Sequence, residues 1–390
     1  MRILMLSDVY FPRINGVSTS IRVFRDELVR RGHPVGIVAP RYGRESDADG
    51  RETHVTRAAG LRVPFDSEDR VARPARLVSA AEEARRGLGG VDLVHVHTPF
   101  SAFSAARQVA RRWQVPLVAT HHTHFEAYAR HYLPWLPAGW LERGARLLVR
   151  SQARSVSALI VPTEPLRELV RSYGVRTTVD VVPTGLDLDR FAHADRAEGR
   201  RRLGIDSKMP LLVHVGRLAR EKDVSRVVRV AARVVRELDG ARAVLAGEGP
   251  ARAELERQVA GLGLAGRVTF LGYLDRQHEL PDLYAAGDVF LSASTTETQG
   301  LVLLEAMACG LPVVGVSALG TSALLEAGLG AIAADDDDGL TGGVLAVLRD
   351  ANLRERLRRE ARTVAAGWSV ERTTDELLSV YAAATGKPIA

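Results

Sequence analysis

Short apolar runs alternate with amphipathic stretches along almost the whole chain. Arg2–Leu6 reads as a buried strand and Val17–Arg31 as a helix, ended by Gly32-His33 before a short strand at Val35–Ala39. Strands follow at Asp92–His97, Val115–Thr120, Ala158–Pro162 and Val179–Val182, with helix-like segments between them. Pro183-Thr184-Gly185 then breaks the pattern, and a polar, Arg-rich stretch runs from Asp187 to Arg202. The alternation restarts at Leu211–Val215. A helical period covers Lys222–Leu238, and further strands are expected at Ala241–Ala246, Val268–Leu271, Val289–Ser292 and Val313–Val316. Alternation of this kind predicts parallel sheets with helices on both faces. A fresh first strand near residue 211 predicts two such α/β domains in tandem, joined near Pro183–Arg202.

The length of 390 residues agrees with two domains, since a domain takes about 100–200 residues. Hydrophobic residues at 46% and charged residues at 26% exclude a disordered, collagen-like or disulfide-scaffold chain. The single cysteine, Cys309, forbids an intrachain disulfide and fits a reducing compartment. Four apolar residues before Ser7-Asp8 are too few for a signal-peptide core. No apolar run reaches the roughly 18 residues that span a bilayer. Charge is uneven: residues 1–190 carry 28 Lys+Arg against 20 Asp+Glu, and residues 101–176 alone carry eleven arginines against four glutamates. Such an excess suggests an anionic partner, either nucleic acid or a membrane surface.

Five motifs carry candidate chemistry. The first is Glu297-Thr298-Gln299-Gly300-Leu301, continuing to Glu305. It follows a strand, and Gly300 opens a helix whose first-turn N–H groups form an anion site suited to a diphosphate. Glu297 on the loop and Glu305 on the helix can accept hydrogen bonds from sugar or ribose hydroxyls; the plainer reading is a loop glutamate and a partly buried helix glutamate. The second is Gly216-Arg217-Leu-Ala-Arg-Glu221-Lys222, in the first turn of the second domain. Arg217 can meet a phosphate as a planar fork and Lys222 as a point charge; the alternative is a surface turn. Lys222 is one of only three lysines. The third, Gly247-Glu248-Gly249-Pro250, resembles a nucleotide turn without the full glycine fingerprint. Nor does a G-x-G-x-x-G follow the first strand, which argues against a dehydrogenase.

The fourth is His121-His122-Thr123-His124, at a strand end. A substrate-binding histidine is favoured over zinc, because no Cys or Asp cluster completes a metal set. His97 is expected at the same strand ends, or as a structural residue. The fifth is Trp135–Arg154: at about 100° per residue, Arg143, Arg146, Arg150 and Arg154 share an arc of about 80°, opposite Leu141, Ala145, Leu148 and Val156. With Trp135 and Trp140 this reads either as a membrane-surface helix or as a core-packed helix with a solvated face. The acidic run Asp335–Asp338 reads as a solvated loop rather than a metal site. A nucleic-acid-binding module lacks support from strand aromatics or a recognition helix, and the paired glutamates argue against a sugar-nucleotide epimerase.

Taken together, the opening Ser7-Asp-Val-Tyr-Phe-Pro-Arg-Ile-Asn-Gly16-Val, the Gly216…Lys222 turn, Gly247-x-Gly249-Pro250 and the paired glutamates resemble family 4 glycosyltransferases of the GT-B fold. Thr120–Glu126, Val161–Glu164 and Thr296–Leu301 are most similar to diacylglycerol α-glycosyltransferases and related lipid mannosyltransferases. The resemblance implies two Rossmann-like domains facing across a cleft, residues 1–187 and 188–368, with a C-terminal helix in 369–390 crossing back to the first. It implies a donor-binding second domain: Arg217 and Lys222 on the diphosphate, Glu305 on the ribose, Glu297 on the transferred sugar, and Tyr273 and Leu274 beside the base. Gly247, Gly249, Thr298, Gln299, Gly300 and Leu301 would complete the nucleotide-sugar site, and Gly16 and His122 would close over it. It implies retaining, metal-independent hexosyl transfer from UDP-glucose or GDP-mannose, with no cofactor, to a lipid such as diacylglycerol. The alternative is an α-mannosyltransferase acting on a polysaccharide or other lipid-linked precursor. A cytoplasmic protein, peripheral on the inner membrane face through Trp135, Trp140, Arg143, Arg146 and Arg150, is the matching expectation.

Overall fold

The computed structural model describes residues 1–43, 54–63, 66–122 and 137–388. The chain divides into two compact units, Met1–Gly185 with Val370–Ala390, and Leu186–Ser369.

The first unit runs β1 (Ile3–Leu6), α1 (Gly16–Arg30), β2 (Val35–Pro40), β3 (Val55–Ala58), β4 (Gly60–Val63), β5 (Asp66–Ala72), α2 (Pro74–Gly87), β6 (Leu93–Val96), α3 (Ser101–Trp113), β7 (Leu117–Thr120), α4 (Ala138–Ala153), β8 (Ala158–Val161), α5 (Glu164–Ser172) and β9 (Val179–Val181). Seven strands form a sheet in the order β3-β2-β1-β6-β7-β8-β9. Its pairs are parallel; β1, for example, aligns Ile3 with Val35 on one side and with Leu93 on the other. β4 and β5 make a separate antiparallel hairpin.

The second unit runs α6 (Leu188–Ala192), α7 (Arg196–Leu203), β10 (Leu211–Val215), α8 (Val224–Glu237), β11 (Arg242–Ala246), α9 (Arg252–Gly261), β12 (Val268–Gly272), α10 (Glu279–Ala286), β13 (Val289–Ser292), α11 (Leu301–Ala308), β14 (Val313–Gly315), α12 (Ser322–Leu325), β15 (Ala331–Ala333), α13 (Asp337–Arg349) and α14 (Ala351–Ala366). Its parallel sheet has the order β12-β11-β10-β13-β14-β15. Both units therefore share the doubly wound arrangement, with the first strand at the centre. The last helix, α15 (Val370–Thr385), belongs to the first unit, where Leu377, Leu378, Val380 and Tyr381 join the core of Ile3, Met5, Ile21, Phe24 and Val118.

The continuous apolar runs explain the layering. Side chains along a strand alternate between faces, so a strand apolar at every position must be covered twice. Leu212, Ala243, Leu245, Val289 and Leu291 enter the core under α8 and α13. Their neighbours Leu211, Val213, Val244, Ala246 and Phe290 enter the core under α10 and α11.

The observed elements differ from the sequence expectation in three places. The edge strands β3 and β15 and the β4–β5 hairpin were not foreseen, because Val-Thr-Arg-Ala and Ala-Ile-Ala carry too little apolar pattern. The polar stretch 187–202 is not a bare linker. Arg196 and Arg200 both bind the Asp288 carboxylate, at 2.6 and 2.8 Å, and Gly199 lets α7 lie directly on the α10 backbone at Asp282. The helix expected over Lys222–Leu238 begins at Val224. Asp223 adopts φ 44° and its side chain accepts from Arg226 N, which leaves Lys222 in a separate 3-10 turn, Arg220–Lys222.

Candidate functional site

The carboxyl ends of β10, β11, β12 and β13 carry most of the predicted residues, where ligands bind in open parallel sheets. The loops after β10 and β11 lie backbone on backbone: Leu218 N donates to Glu248 O at 2.9 Å, and Gly247 N to Gly272 O at 2.8 Å. A Cβ on Gly247 would overlap the Gly216 carbonyl, and one on Gly249 the Leu218 carbonyl. Gly247 also sits at φ 126°, a region open only to glycine.

This contact fixes the turn bearing Arg217 and Lys222. Arg217 Nη1 lies 3.3 Å from Glu221 Oε1, and Lys222 Nζ lies 2.7 Å from Glu297 Oε1. Thr296 Oγ1 donates to Glu221 O at 3.0 Å and ties the two loops together. Lys222 and Glu297, 75 positions apart, are thus brought together. The far side of the Glu297 loop rests on Gly320, whose N–H donates to Glu297 O at 3.0 Å and whose Cα packs on the Thr298 backbone. Gln299 is buried, Leu301 is half-buried, and Gly300 caps α11 at φ 79°.

Glu305 sits differently from the sequence picture of an available carboxylate. It is 2% exposed, and Arg276 and Tyr284 both donate to it, the tyrosine at 2.9 Å; Arg190 stands 4.0 Å away. Burial and this carboxylate push the Tyr284 hydroxyl well above its ordinary pKa, so it is a donor. Arg190, Arg276 and Tyr284 were missed: they come from two helices and a loop with no motif of their own. Tyr273 is exposed, while Leu274 tucks against the core below.

In the first unit the strand ends hold a buried carboxyl group and a run of histidines. Asp8, after β1, accepts from Thr98 Oγ1 at 2.8 Å and from Ala102 N at 2.9 Å, and burial raises its pKa. His95 on β6 contacts Tyr381 OH at 2.6 Å and Thr120 Oγ1 at 2.7 Å. His97 Nδ1 lies 3.1 Å from His122 Nε2, which brings these two residues together. Burial, and then the charge of His121, push His122 down to about 3; burial and His122 do the same to His95, and His97 is also held well below 6.5. All three are neutral at physiological pH. Gly16 is the first residue of α1, capped by Asn15 Oδ1 accepting from Ser18 N at 2.8 Å. Among the described residues, no atom lies within 4 Å of where its Cβ would stand.

The α4 helix corrects the predicted division of faces. Ala145, Val149 and Ala153 are buried, whereas Leu148 is exposed along with Trp140 and Leu147, at 72% and 65% for the last two. Arg143 and Arg154 flank that apolar strip, and Arg146 lies over the Tyr173 ring. Trp135 and residues 123–136 generally lie outside the described residues. The acidic run is structural rather than merely solvated: Asp336 caps α13, and Asp337 and Asp338 pair with Arg226, Arg229 and Arg233. Among the described residues no three His, Cys, Asp or Glu side chains are grouped to hold a metal.

Two tandem doubly wound units of this kind are the architecture of GT-B glycosyltransferases. Residues 14–190 match the model of Glycosyltransferase Family 4, and residues 195–364 that of Glycosyl transferases group 1. The chain is 34% identical over 325 residues to the alpha-monoglucosyldiacylglycerol synthase of Streptococcus pneumoniae, covering 80% of this chain and 70% of that enzyme. It is 33% identical over 384 residues to the D-inositol 3-phosphate glycosyltransferase of Rhodococcus jostii, covering 92% and 82%. Its fold matches the crystal structure of Anabaena HepE in complex with UDP and glucose, with a TM-score of 0.78, 21% identity, and coverage of 98% and 99%. The chain belongs to glycosyltransferase family 4.

Proposed function

We propose that the protein transfers a hexose, with retention of configuration and without a metal, from a nucleoside-diphosphate sugar to a membrane lipid such as diacylglycerol. The observation that carries this reading is the Lys222–Glu297 contact, with Arg217 on the same turn. It sets two cations and a hydrogen-bond-accepting carboxylate at the strand ends of one unit. The cations stabilise the charge that grows on the departing diphosphate, which is where preorganised donors act most strongly. Glu297 accepts from a hydroxyl of the sugar. The C1–O bond to phosphate breaks as the acceptor oxygen attacks from the same face, and the leaving phosphate oxygen takes the acceptor's proton. Neutral His122 hydrogen-bonds to a sugar hydroxyl without adding charge. A ribose hydroxyl reaches Glu305 through lone pairs left beside Arg276 and Tyr284, since a carboxylate offers about four acceptor sites.

The lipid acceptor is supported by the name of the pneumococcal relative and by the exposed Trp140–Leu147 strip with its flanking arginines. Amphipathic faces of this kind lie in the membrane interface, and each basic residue near an anionic leaflet contributes about 1 kcal/mol. Attachment to the cytoplasmic leaflet follows in this reading. Among the described residues no helix is long and apolar enough to cross a membrane. The Rhodococcus relative supports a second reading, a soluble phosphorylated acceptor.

The test is a screen of UDP-glucose and GDP-mannose against diacylglycerol vesicles, a polyprenyl-linked glycan and inositol phosphate, with mass detection and with EDTA present. An α-glycolipid formed in EDTA supports the proposal; product only from a soluble acceptor, or only after a divalent ion is restored, overturns it. Trp140→Ser with Leu147→Ser should reduce co-sedimentation with phosphatidylglycerol vesicles while leaving the melting temperature unchanged.

A further inference from the structure

The first unit has a second concentration of positive charge, at the opposite end of its sheet from His122. There α4 and α5 end and β8 and β9 begin, and a cavity of about 200 Å³ opens between them. Arg150 and Arg154 from the end of α4 and Arg176 from the loop before β9 line it, with Gly174 and Thr177. The wall is built rather than incidental. Thr177 Oγ1 donates to Ala153 O at 2.6 Å and pins the loop to the helix end. Gly174, at φ 82°, turns the chain there, and the Arg150 guanidinium packs beside it, 3.8 Å from where a Cβ would be. No acidic side chain lines the cavity, and among the described residues none of the three guanidiniums has an ion-pair partner. A helix C-terminus favours cations, which accounts for Arg150 and Arg154. It does not account for Arg176, which comes from another segment, nor for the space they enclose.

We infer that this cavity is a phosphoryl-binding site, separate from the donor site. Guanidinium forks match phosphate oxygens in pairs, and three of them around one small space offer more donors than a carboxylate has acceptors. The volume lies below the roughly 300–1,000 Å³ of pockets for drug-sized ligands, so the phosphoryl group itself, with little attached, is what fits. Two sources present this chemistry: the headgroup of a phospholipid beside the exposed face of α4, and a free phosphate or small phosphomonoester. The lipid source rests on the membrane reading above; the cavity does not.

The test titrates the full-length protein with inorganic phosphate by calorimetry, with UDP present to fill the donor site. Saturable binding is expected, weakened at least about tenfold in Arg150→Gln with Arg176→Gln, less in the double lysine variant, and unchanged in Arg143→Gln. The exposed single change Arg176→Gln, checked by its melting temperature, guards against misfolding. Phosphate binding that is absent, or equal in wild type and the double glutamine variant, overturns the site. Phosphatidylcholine vesicles doped with phosphatidic acid are then compared with vesicles doped to the same charge with oleate. A preference for phosphatidic acid that the double glutamine variant loses supports the site and identifies the lipid source. Phosphate binding without such a preference supports the site with a soluble phosphate, and sets aside only the lipid source.

Discussion

The two units have the same strand order and end their strands in opposite ways. The second unit closes its strand ends with glycine backbones in contact and then places charges on them: Arg217 with Glu221, Lys222 with Glu297, Arg276 with Glu305. The first places His95, His97 and His122 in contact with one another, all neutral, beside a buried Asp8 whose pKa is raised. One fold thus gives one rim of ion pairs and one of neutral histidines. A charged rim suits an anion whose charge changes during the reaction. A neutral rim suits hydroxyls, which it can bond without the cost of burying a charge.

Turnover gives the largest contrast. Lys222→Ala and Arg217→Ala should each raise the barrier by about 2–4 kcal/mol, the scale for losing one preorganised donor, with little change in melting temperature. His122→Asn should cost less, because it removes a neutral hydrogen bond worth about 0.5–1.5 kcal/mol. Steady-state transfer assays compare them; equal losses at Lys222 and His122 would erase the distinction.

Acid stability separates the units next. His33, His95, His97, His122 and His214 have folded pKa values below the ordinary 6.5, so the unfolded chain binds more protons and stability falls as pH drops below that value. Between pH 6.5 and 5.5 His95 and His122, both held at about 3, each contribute a loss of about 1 kcal/mol. His97 and His33 add to the loss in the first unit, whereas the second has His214, so among the described residues the first should lose at least about 2 kcal/mol and more than the second. Asp8 acts in the opposite direction, because its raised pKa favours the folded state as pH falls. Thermal unfolding followed by hydrogen exchange at each pH, resolved by peptide, reads the two units separately. A second unit as acid-sensitive as the first would contradict the comparison.

Glycine substitutions give the smallest effect. Gly249→Ala forces a methyl into the Leu218 carbonyl and should destabilise the second unit by about 1–3 kcal/mol, the range for overpacking. Gly16→Ala meets open space and should leave stability unchanged or improve it, since alanine is favoured over glycine in a helix by about 1 kcal/mol. Activity lost by Gly16→Ala at full stability would mark that open space as occupied by substrate.

The layered fold and the second unit's turns were legible because their causes are local. A strand buried on both faces has to be apolar throughout, and a turn pressed against another backbone has to be glycine. The partners of Glu305 were not legible. Arg276 and Tyr284 approach it from 29 and 21 residues upstream, set by how a loop and a helix dock and by no spacing rule. The faces of α4 show the same limit. A 100° period says which residues share a side, but not that the small Ala145 and Ala153 would be buried while Trp140 and Leu147 stay exposed.

The position of α15 bears on how the protein is made. Its Tyr381 bonds to His95, and its leucines complete a core whose first strand is Ile3–Leu6. The ribosome must therefore deliver the whole of Leu186–Ser369 before the first unit can close its core. At about 5–20 residues per second that wait is roughly ten to forty seconds. During it, β1 and β6 are out of the exit tunnel with an apolar face uncovered, and the second unit has all of its own residues before α15 is made. The usual order, in which the earlier domain finishes first, is reversed: the second unit has its last residue before the first unit has its last helix.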